Sequence, residues 1–163
     1  MDEPARLAAI AARLPRPEWP DRVLLIPAVD ALTGELVVFD RESGVPLVEA
    51  VAASCAVPGV WPPVTIGARR YVDGGIRSMT NADLAKGSDR VLVLVPSPAD
   101  APRLADTVAD ETAAVKSLVI WADEASVEAF GINPLSPSTR GPAARAGREV
   151  GRAQAEAVAT LWA

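Results

Sequence analysis

The chain has 163 residues, of which 50% are hydrophobic and 4% aromatic, and its net charge is −5. A chain of this length forms one ordinary domain with a real core, built here mainly from Ala, Val and Leu. The negative charge, and the lack of a basic cluster interleaved with aromatic residues, argue against a nucleic-acid partner. With no histidine and one cysteine, the sequence lacks the usual ligands of a zinc site, and we expect neither a metal nor another cofactor.

The N-terminal part predicts one helix followed by a strand pair. Apolar residues at helical spacing predict a helix over residues 3–14, which the proline-rich stretch 15–20 ends. The runs Val23 to Val29 and Glu35 to Phe39 are rich in β-forming residues and predict an antiparallel pair. Pro27 cannot donate a ladder hydrogen bond, so we expect the first of these strands at a sheet edge or at a bulge.

The middle of the chain predicts a helix, a hairpin and a buried strand. An Ala-rich segment, Leu47 to Cys55, predicts the helix, and we expect Cys55 to be a small buried residue. The stretch Trp61-Pro62-Pro63 cannot be regular. A short hairpin is predicted from Val64 to Val72, and the continuous apolar run Arg90 to Val95 is typical of a strand that is covered on both faces.

The C-terminal part predicts two long helices, over residues 102–130 and 142–162. The second carries a small residue at every fourth position, which favours the close approach of a neighbouring element: Ala143, Gly147, Gly151 and Ala155. We interpret its arginines as a solvated face. Few strands in this layout are central, so the predicted α/β sheet has an open edge.

Residues Tyr71-Val72-Asp73-Gly74-Gly75 place a carboxylate at the end of a β-like run and follow it with two glycines that let another backbone come close. The simpler interpretation of Asp73-Gly74 is a hairpin turn. Asp73 is nevertheless the best candidate for chemistry. Because the chain has no histidine, any reaction that uses this carboxylate works without the usual proton carrier of hydrolases.

The neighbourhood of this motif carries a family resemblance. The run Ala53 to Pro63, Ala-Ser-Cys-Ala-Val-Pro-Gly-Val-Trp-Pro-Pro, precedes the strand pair that ends in Tyr-Val-Asp-Gly-Gly. This order resembles the bacterial patatin-like phospholipases, and the resemblance covers most of residues 22–162. It implies an α/β fold in which residues 22–163 form the C-terminal part of a patatin-like three-layer α/β/α domain, after an N-terminal helix and proline-rich linker over residues 1–21.

The resemblance also implies a mechanism, because in that family a serine in a Gly-x-Ser-x-Gly elbow attacks a lipid ester and an aspartate accepts its proton. Asp73 falls on the aspartate position, and Gly74 and Gly75 fall on its loop. A dyad of this kind needs no histidine, unlike a Ser-His-Asp triad. No Gly-x-Ser-x-Gly occurs in this sequence. We therefore expect part of a lipid acyl hydrolase that lacks its nucleophile and is inactive alone.

Other polar residues have simpler interpretations. Ser54 lies in the Ala-Ser motif, which the resemblance associates with packing beside the active site, and Ser78 and Ser43 lack an elbow. Asn81 is expected to fix the loop after the glycines or to cap a short helix. Three further carboxylates end strands or start helices, which favours capping over a metal site or a pair with Asp73: Asp30, Asp40 and Asp83.

The sequence is compatible with two further functions. The first is a non-catalytic remnant that keeps an acyl-binding groove and associates with another chain supplying the elbow, since an open sheet edge favours a partner or a second copy. The second is a structural domain with Asp-Gly-Gly as a plain turn. The expected ligand is a lipid or acyl ester, and transient contact with a membrane surface is compatible with it. Because the sequence has neither a long apolar run nor an apolar leader, we expect a soluble, cytoplasmic chain.

Overall fold

The computed structural model describes residues 2–101, 103–133 and 136–163. The chain divides into two compact units, an N-terminal unit (residues 1–81) and a C-terminal unit (residues 82–163). Both mix helices with β-structure, so the predicted α/β class is confirmed.

The N-terminal unit contains an antiparallel sheet with two helices. The helices are α1 (Glu3–Ala11) and α2 (Leu47–Ser54), and the strands are β1 (Ile26–Asp30), β2 (Leu36–Phe39), β3 (Val64–Ile66) and β4 (Arg69–Asp73). The strand order is β2-β1-β4-β3, and every neighbouring pair is antiparallel. The predicted β1–β2 pair and the predicted β3–β4 hairpin are therefore confirmed.

The core of this unit lies between the sheet and α2, and three alanines of α2 contribute to it. Ala50, Ala52 and Ala53 are fully buried, and Phe39 packs edge to face on Tyr71 with ring centroids 5.2 Å apart. Small residues on α2 let the helix lie close to the sheet, as interiors of crystal-like packing density require. The motif around Asp73 is thus carried by a strand whose inner face is buried.

Strand β1 is central, so the expectation that Pro27 marks an edge strand is wrong. The ladder between β1 and β4 begins with the pair Ala28 and Asp73, and it does not reach Pro27. Ala31 N donates to Arg70 O on β4. Because the N–H groups of every second residue in an antiparallel strand point to the same neighbouring strand, the backbone nitrogen of Pro27 also faces β4. The missing N–H of Pro27 therefore falls just beyond the last ladder bond and costs the sheet nothing.

The C-terminal unit is built around a parallel pair of strands. Its elements are β5 (Arg90–Val95), α3 (Leu104–Thr112), β6 (Lys116–Trp121), α4 (Glu124–Phe130), α5 (Arg140–Ala153) and α6 (Ala155–Trp162). β5 pairs with β6 from Arg90 opposite Lys116 to Val95 opposite Trp121. Valines of β5 pack on α3 through Leu104 and Val108, while α6 also contacts both strands.

Two expectations for this unit are wrong. A single helix over 102–130 is replaced by α3, β6 and α4, and Pro102 itself lies outside the described residues. The apolar residues of that segment do face the core, but the β-branched run of β6 forms a strand because β5 offers it a parallel partner. β5 is also not covered on both faces, since Leu94 is 67% exposed. The second predicted helix is present, divided at Gln154 into α5 and α6.

Candidate active-site loop

Asp73 is the last residue of β4, and two neighbouring segments hold it in place. Its Cα lies opposite that of Ala28 on β1, and its backbone N–H donates to Ala56 O at 3.1 Å. The Ala-Ser-Cys-Ala segment at the end of α2 thus lies directly beside the Asp-Gly-Gly loop. Ala56 and Asp73 belong to two separate motifs of the family resemblance and lie 17 residues apart in the chain. This backbone hydrogen bond joins the two motifs.

The carboxylate of Asp73 is held through one oxygen. Oδ1 accepts from Gly75 N at 2.7 Å, and the side chain caps a short 3₁₀ turn over Gly74–Ile76. The residue is half-buried, and among the described residues its carboxylate makes no other hydrogen bond and no ion pair. Oδ2 is therefore left to interact with a further group.

The two glycines lie against different neighbours. A Cβ on Gly74 would lie 2.6 Å from the carbonyl oxygen of Pro27, a distance at which the backbone of β1 must shift. A Cβ on Gly75 would lie 2.9 Å from Oδ1 of Asp73. The first glycine permits the close approach of another backbone, as expected, and the second permits the carboxylate to reach its own amide donor.

The loop after the glycines is closed by Ser78 and Asn81. The Ser78 hydroxyl oxygen accepts from the backbone N–H groups of Thr80 and Asn81, at 3.2 and 3.0 Å. The Asn81 side chain donates to Ser78 O at 2.6 Å and to Gly74 O at 3.2 Å. Asn81 therefore fixes the loop, which was one of its two expected roles, and its φ of +49° lies in the left-handed region that asparagine tolerates.

No serine hydroxyl of the described residues is hydrogen-bonded to Asp73. Ser54 is half-buried at the end of α2, Ser78 is buried and engaged in the loop, and Ser43 donates to Asp40 O in a turn. All three side chains thus lie in local structure rather than on a strand-to-helix elbow that presents a hydroxyl to a substrate.

Cys55 is exposed, so its predicted burial is wrong. The buried side chain beside it is that of Arg6 of α1, which is only 4% exposed. The Arg6 guanidinium donates to Ala52 O at 2.9 Å and to Cys55 Sγ at 3.3 Å, and it lies over the ring of Trp61 at 5.2 Å. Trp61 thus packs against a cation, a contact worth about 0.5–2 kcal/mol.

The burial of Arg6 was not predicted, although the sequence carries a signal for it. Arg6 lies four residues before Ile10, on the apolar face of α1, where a charged side chain needs partners. α1 is also attached to the sheet, because Glu3 accepts from Thr65 N at 2.7 Å.

Asp30 and Asp40 cap turns. Asp30 is 2% exposed, accepts from Leu32 N at 2.9 Å and forms an ion pair with Arg69 at 2.9 Å. The hydrogen bond from Leu32 N contributes most to holding the pKa of Asp30 below its usual value, Thr33 N and Arg69 lower it further, and burial opposes them. The Asp40 carboxylate accepts from Glu42 N at 2.9 Å.

Among the residues that the structure describes, no three Cys, Asp or Glu side chains lie together as a metal site. No helix in the described ranges is both long and apolar enough to cross a bilayer.

Comparison with known proteins relates this loop to one family. Residues 7–86 match the family model described as Patatin-like phospholipase. A search of curated proteins found no significant match. The matched segment includes the second half of α1, the whole antiparallel sheet and the loop from Asp73 to Asn81. Residues 7–86 therefore carry the sequence pattern of the patatin-like phospholipase family, a family of lipid acyl hydrolases.

Proposed function

We propose that this chain supplies the base of a Ser-Asp acyl hydrolase, with Asp73 as the proton acceptor and the serine provided by residues that are not in this sequence. The chain would correspond to the C-terminal part of a bacterial patatin-like domain and would act on lipid esters. The observation that supports it most is the state of the Asp73 carboxylate, which has one oxygen bound to Gly75 N and the other without a partner among the described residues.

That arrangement suits a base in a dyad. The bond to Gly75 N fixes the orientation of the carboxylate, and Oδ2 can then accept the proton of an approaching hydroxyl. A carboxylate is a weak base toward a serine hydroxyl, so the oxyanion of the intermediate needs strong stabilisation by backbone donors. The proposal assigns those donors and the nucleophile to the Gly-x-Ser-x-Gly half of the domain.

The test supplies that half in trans. The purified chain, alone and mixed with a fragment of a patatin-like phospholipase that carries the Gly-x-Ser-x-Gly elbow, is assayed with 4-nitrophenyl esters and with a fluorophosphonate probe. We expect neither hydrolysis nor labelling of the chain alone. We expect both in the mixture, with hydrolysis lost on Asp73→Asn and retained on Asp89→Asn, a change at an exposed carboxylate.

Two outcomes would overturn the proposal. Labelling of a serine in the isolated chain, with hydrolysis that Asp73→Ala abolishes, would show that the nucleophile is present in this sequence. Hydrolysis by the mixture that Asp73→Asn leaves unchanged would remove Asp73 from the reaction. In each case mass spectrometry of the labelled peptide identifies the serine involved.

A second candidate function is a non-catalytic module that binds a partner chain. It is favoured by the parallel pair β5–β6, which has no third strand among the described residues. Parallel strands normally occur inside larger sheets that are covered on both faces, and an unpaired edge is a template for another strand. We expect the elbow fragment to protect the β5 amides from hydrogen exchange even when Asp73→Asn abolishes activity. Unchanged exchange in β5 would contradict this function.

A further inference from the structure

A buried positive charge lies between α1 and α2 without an opposite charge beside it. Arg6 of α1 is only 4% exposed, and its Nη2 donates to Ala52 O at 2.9 Å. Its other terminal nitrogen, Nη1, is buried and has no hydrogen-bond partner. No carboxylate in the described part of the chain forms an ion pair with Arg6. Because a buried cation is costly without a paired anion, this guanidinium lacks the partner that it most needs.

The neutral groups around Arg6 do not supply that partner. Ala52 O is an uncharged acceptor, and it is already bound by Nη2. The guanidinium carbon lies 5.2 Å from the centroid of the Trp61 ring, whose face attracts a cation but carries no net charge. Nη1 therefore still lacks an acceptor, and the guanidinium still lacks a counter-ion.

One reactive side chain touches this guanidinium and is also open to solvent. Nη2 donates to Cys55 Sγ at 3.3 Å, and Cys55 is exposed. A thiol sulfur is only a weak acceptor, so this contact satisfies little of the donor capacity of Arg6. Small molecules in solution can nevertheless reach Cys55, while Arg6 behind it is shielded. An accessible cysteine and a buried, incompletely bonded cation thus share one site.

Oxidation of the thiol would place the missing acceptors beside Arg6. A sulfinate carries two oxygens on the sulfur and is an anion at neutral pH. These oxygens would be bonded to Sγ, which already lies 3.3 Å from Nη2, so both stay close to the guanidinium. The planar fork of an arginine is matched by two acceptor atoms of one anion, as in its pairs with carboxylates. Nη1 and Nη2 would then each have an anionic acceptor.

We propose that Cys55 is a modification site that hydroperoxides oxidise to a sulfinate, and that this sulfinate forms an ion pair with Arg6. In the first step the sulfur attacks one peroxide oxygen, an S–O bond forms and the O–O bond breaks. The thiol proton passes to the departing oxygen, so Cys-SH and ROOH give Cys-SOH and ROH. A second ROOH converts the sulfenic acid to Cys-SO2H and ROH, and the sulfinic acid releases its proton to water. Each step takes two electrons from sulfur and reduces one peroxide bond.

The sequence favours this product over a disulfide. A sulfenic acid condenses with a second thiol where one is near, and Cys55 is the one cysteine of the sequence. The ion pair would connect α1 to the end of α2, where Cys55 caps the helix, and would add to the stability of the N-terminal unit. None of these steps uses the Asp73 carboxylate, so the inference stands apart from the proposed catalytic role.

The experiment exposes the purified, reduced chain to hydrogen peroxide and follows its peptides by mass spectrometry. A cyclic 1,3-diketone traps the sulfenic acid at Cys55, and two added oxygens mark the sulfinic acid. Met79, which is 67% exposed, measures the oxidant dose in the same sample. Urea unfolding of the oxidised and reduced chains then compares their stability. We expect the urea midpoint to rise by about 0.5–1 M on oxidation, as a new charge-assisted hydrogen bond requires.

Matched variants assign the change to the ion pair. Cys55→Ser, treated in the same way, should show no rise, which removes the effect of Met79 oxidation from the comparison. Arg6→Gln should lose the rise, whereas Arg6→Lys, which keeps the charge without the fork, should retain part of it. Arg13→Gln, at an exposed arginine that follows α1, should retain all of it. If Arg6→Gln does not fold, the other variants and the two states of the unchanged chain still decide.

Three outcomes would overturn the inference. The first is oxidation of Met79 alone, with the Cys55 thiol left intact at the same dose. The second is a urea midpoint that oxidation of Cys55 lowers or leaves unchanged, because the oxygens would then have no place beside Arg6. The third is a disulfide-linked dimer as the main product, since a second copy of the chain would then be the partner of the sulfur.

Discussion

The two units use glycine in opposite ways. In the N-terminal unit Gly74 lies where any Cβ would come within 2.6 Å of the Pro27 carbonyl oxygen, so glycine is imposed by crowding. In the C-terminal unit Gly147 and Gly151 lie where a Cβ would meet nothing within 4 Å. The first unit thus needs glycine to bring two backbones together, and the second carries glycines where packing does not need them. The same residue type marks a filled site in one unit and an open one in the other.

The largest expected change in the free energy of unfolding comes from the core of the N-terminal unit, and it tests whether that core is closely packed. Phe39→Ala removes a buried ring that contacts Tyr71 edge to face, and it should destabilise the chain by about 3–5 kcal/mol. Urea unfolding gives the free energy, and hydrogen exchange by mass spectrometry shows which unit is affected. Leu32→Ala, at a side chain that is 83% exposed, is the control and should change stability little. Equal losses in the two variants would show that the core is loosely packed.

The next largest change in stability is expected at the Asp73 loop, where Gly74 lies close to the backbone of β1. Gly74→Ala should cost about 1–3 kcal/mol, because β1 must move away from the added methyl group. It should also accelerate exchange at Gly75 N, the amide that donates to Asp73. A variant with unchanged stability would mean that the approach of Pro27 to Gly74 is not required.

Gly147→Ala should change stability in the opposite direction and make the chain more stable. The added Cβ meets no atom, and alanine is the better helix former, so the C-terminal unit should gain about 1 kcal/mol. Thermal unfolding and exchange of α5 peptides measure the gain. A loss of stability would show that an element packs closely on this face of α5, and the contrast between the units would then disappear.

The smallest effects concern how stability changes with pH, and they involve two carboxylates whose pKa values are lowered on folding, Asp30 in one unit and Asp123 in the other. A carboxylate of this kind contributes stability that is present above its unfolded pKa of about 3.9 and is lost as the pH falls through the folded pKa. Asp30→Asn should therefore flatten the acid limb of the stability curve of the N-terminal unit.

Asp123→Asn serves as the matched comparison, because asparagine also caps a helix and Asp123 is exposed. It should change the acid limb of the C-terminal unit less than Asp30→Asn changes that of the N-terminal unit. Stability measured by urea unfolding from pH 7 to pH 3 tests both. Parallel curves for Asp30→Asn and the unchanged chain would contradict the assignment.

The amount of structure that the sequence predicted also differs between the units. In the N-terminal unit the predicted helix, strand pair and hairpin are all present, because each is specified by residues close together in the chain. Gly67, with a φ of +60°, turns β3 into β4, and Asn81 closes the loop that Asp73 opens. The candidate site could be located for the same reason, since its motif spans only a few residues.

The C-terminal unit was predicted less well, because its strands depend on distant partners. β6 carries an apolar pattern that fits a helix as well as a strand, and only its pairing with β5, 26 residues earlier at each register position, decides between them. The open apolar space between α5 and the β5–β6 pair could not be predicted either, since a row of small residues is equally compatible with a close helix contact and with an open wall.

The amino-acid sequence by itself determined the α/β class, the local hairpins, and the position of Asp73 at the end of a strand with two glycines after it. These depend on backbone conformation and on contacts between near neighbours. The tertiary structure alone decided that β1 is central, that Arg6 rather than Cys55 is buried at α2, and that α5 stands off from its sheet. Each of these results from contacts between segments far apart in the chain, such as the 46 residues between Arg6 and Ala52, and local sequence patterns do not encode them.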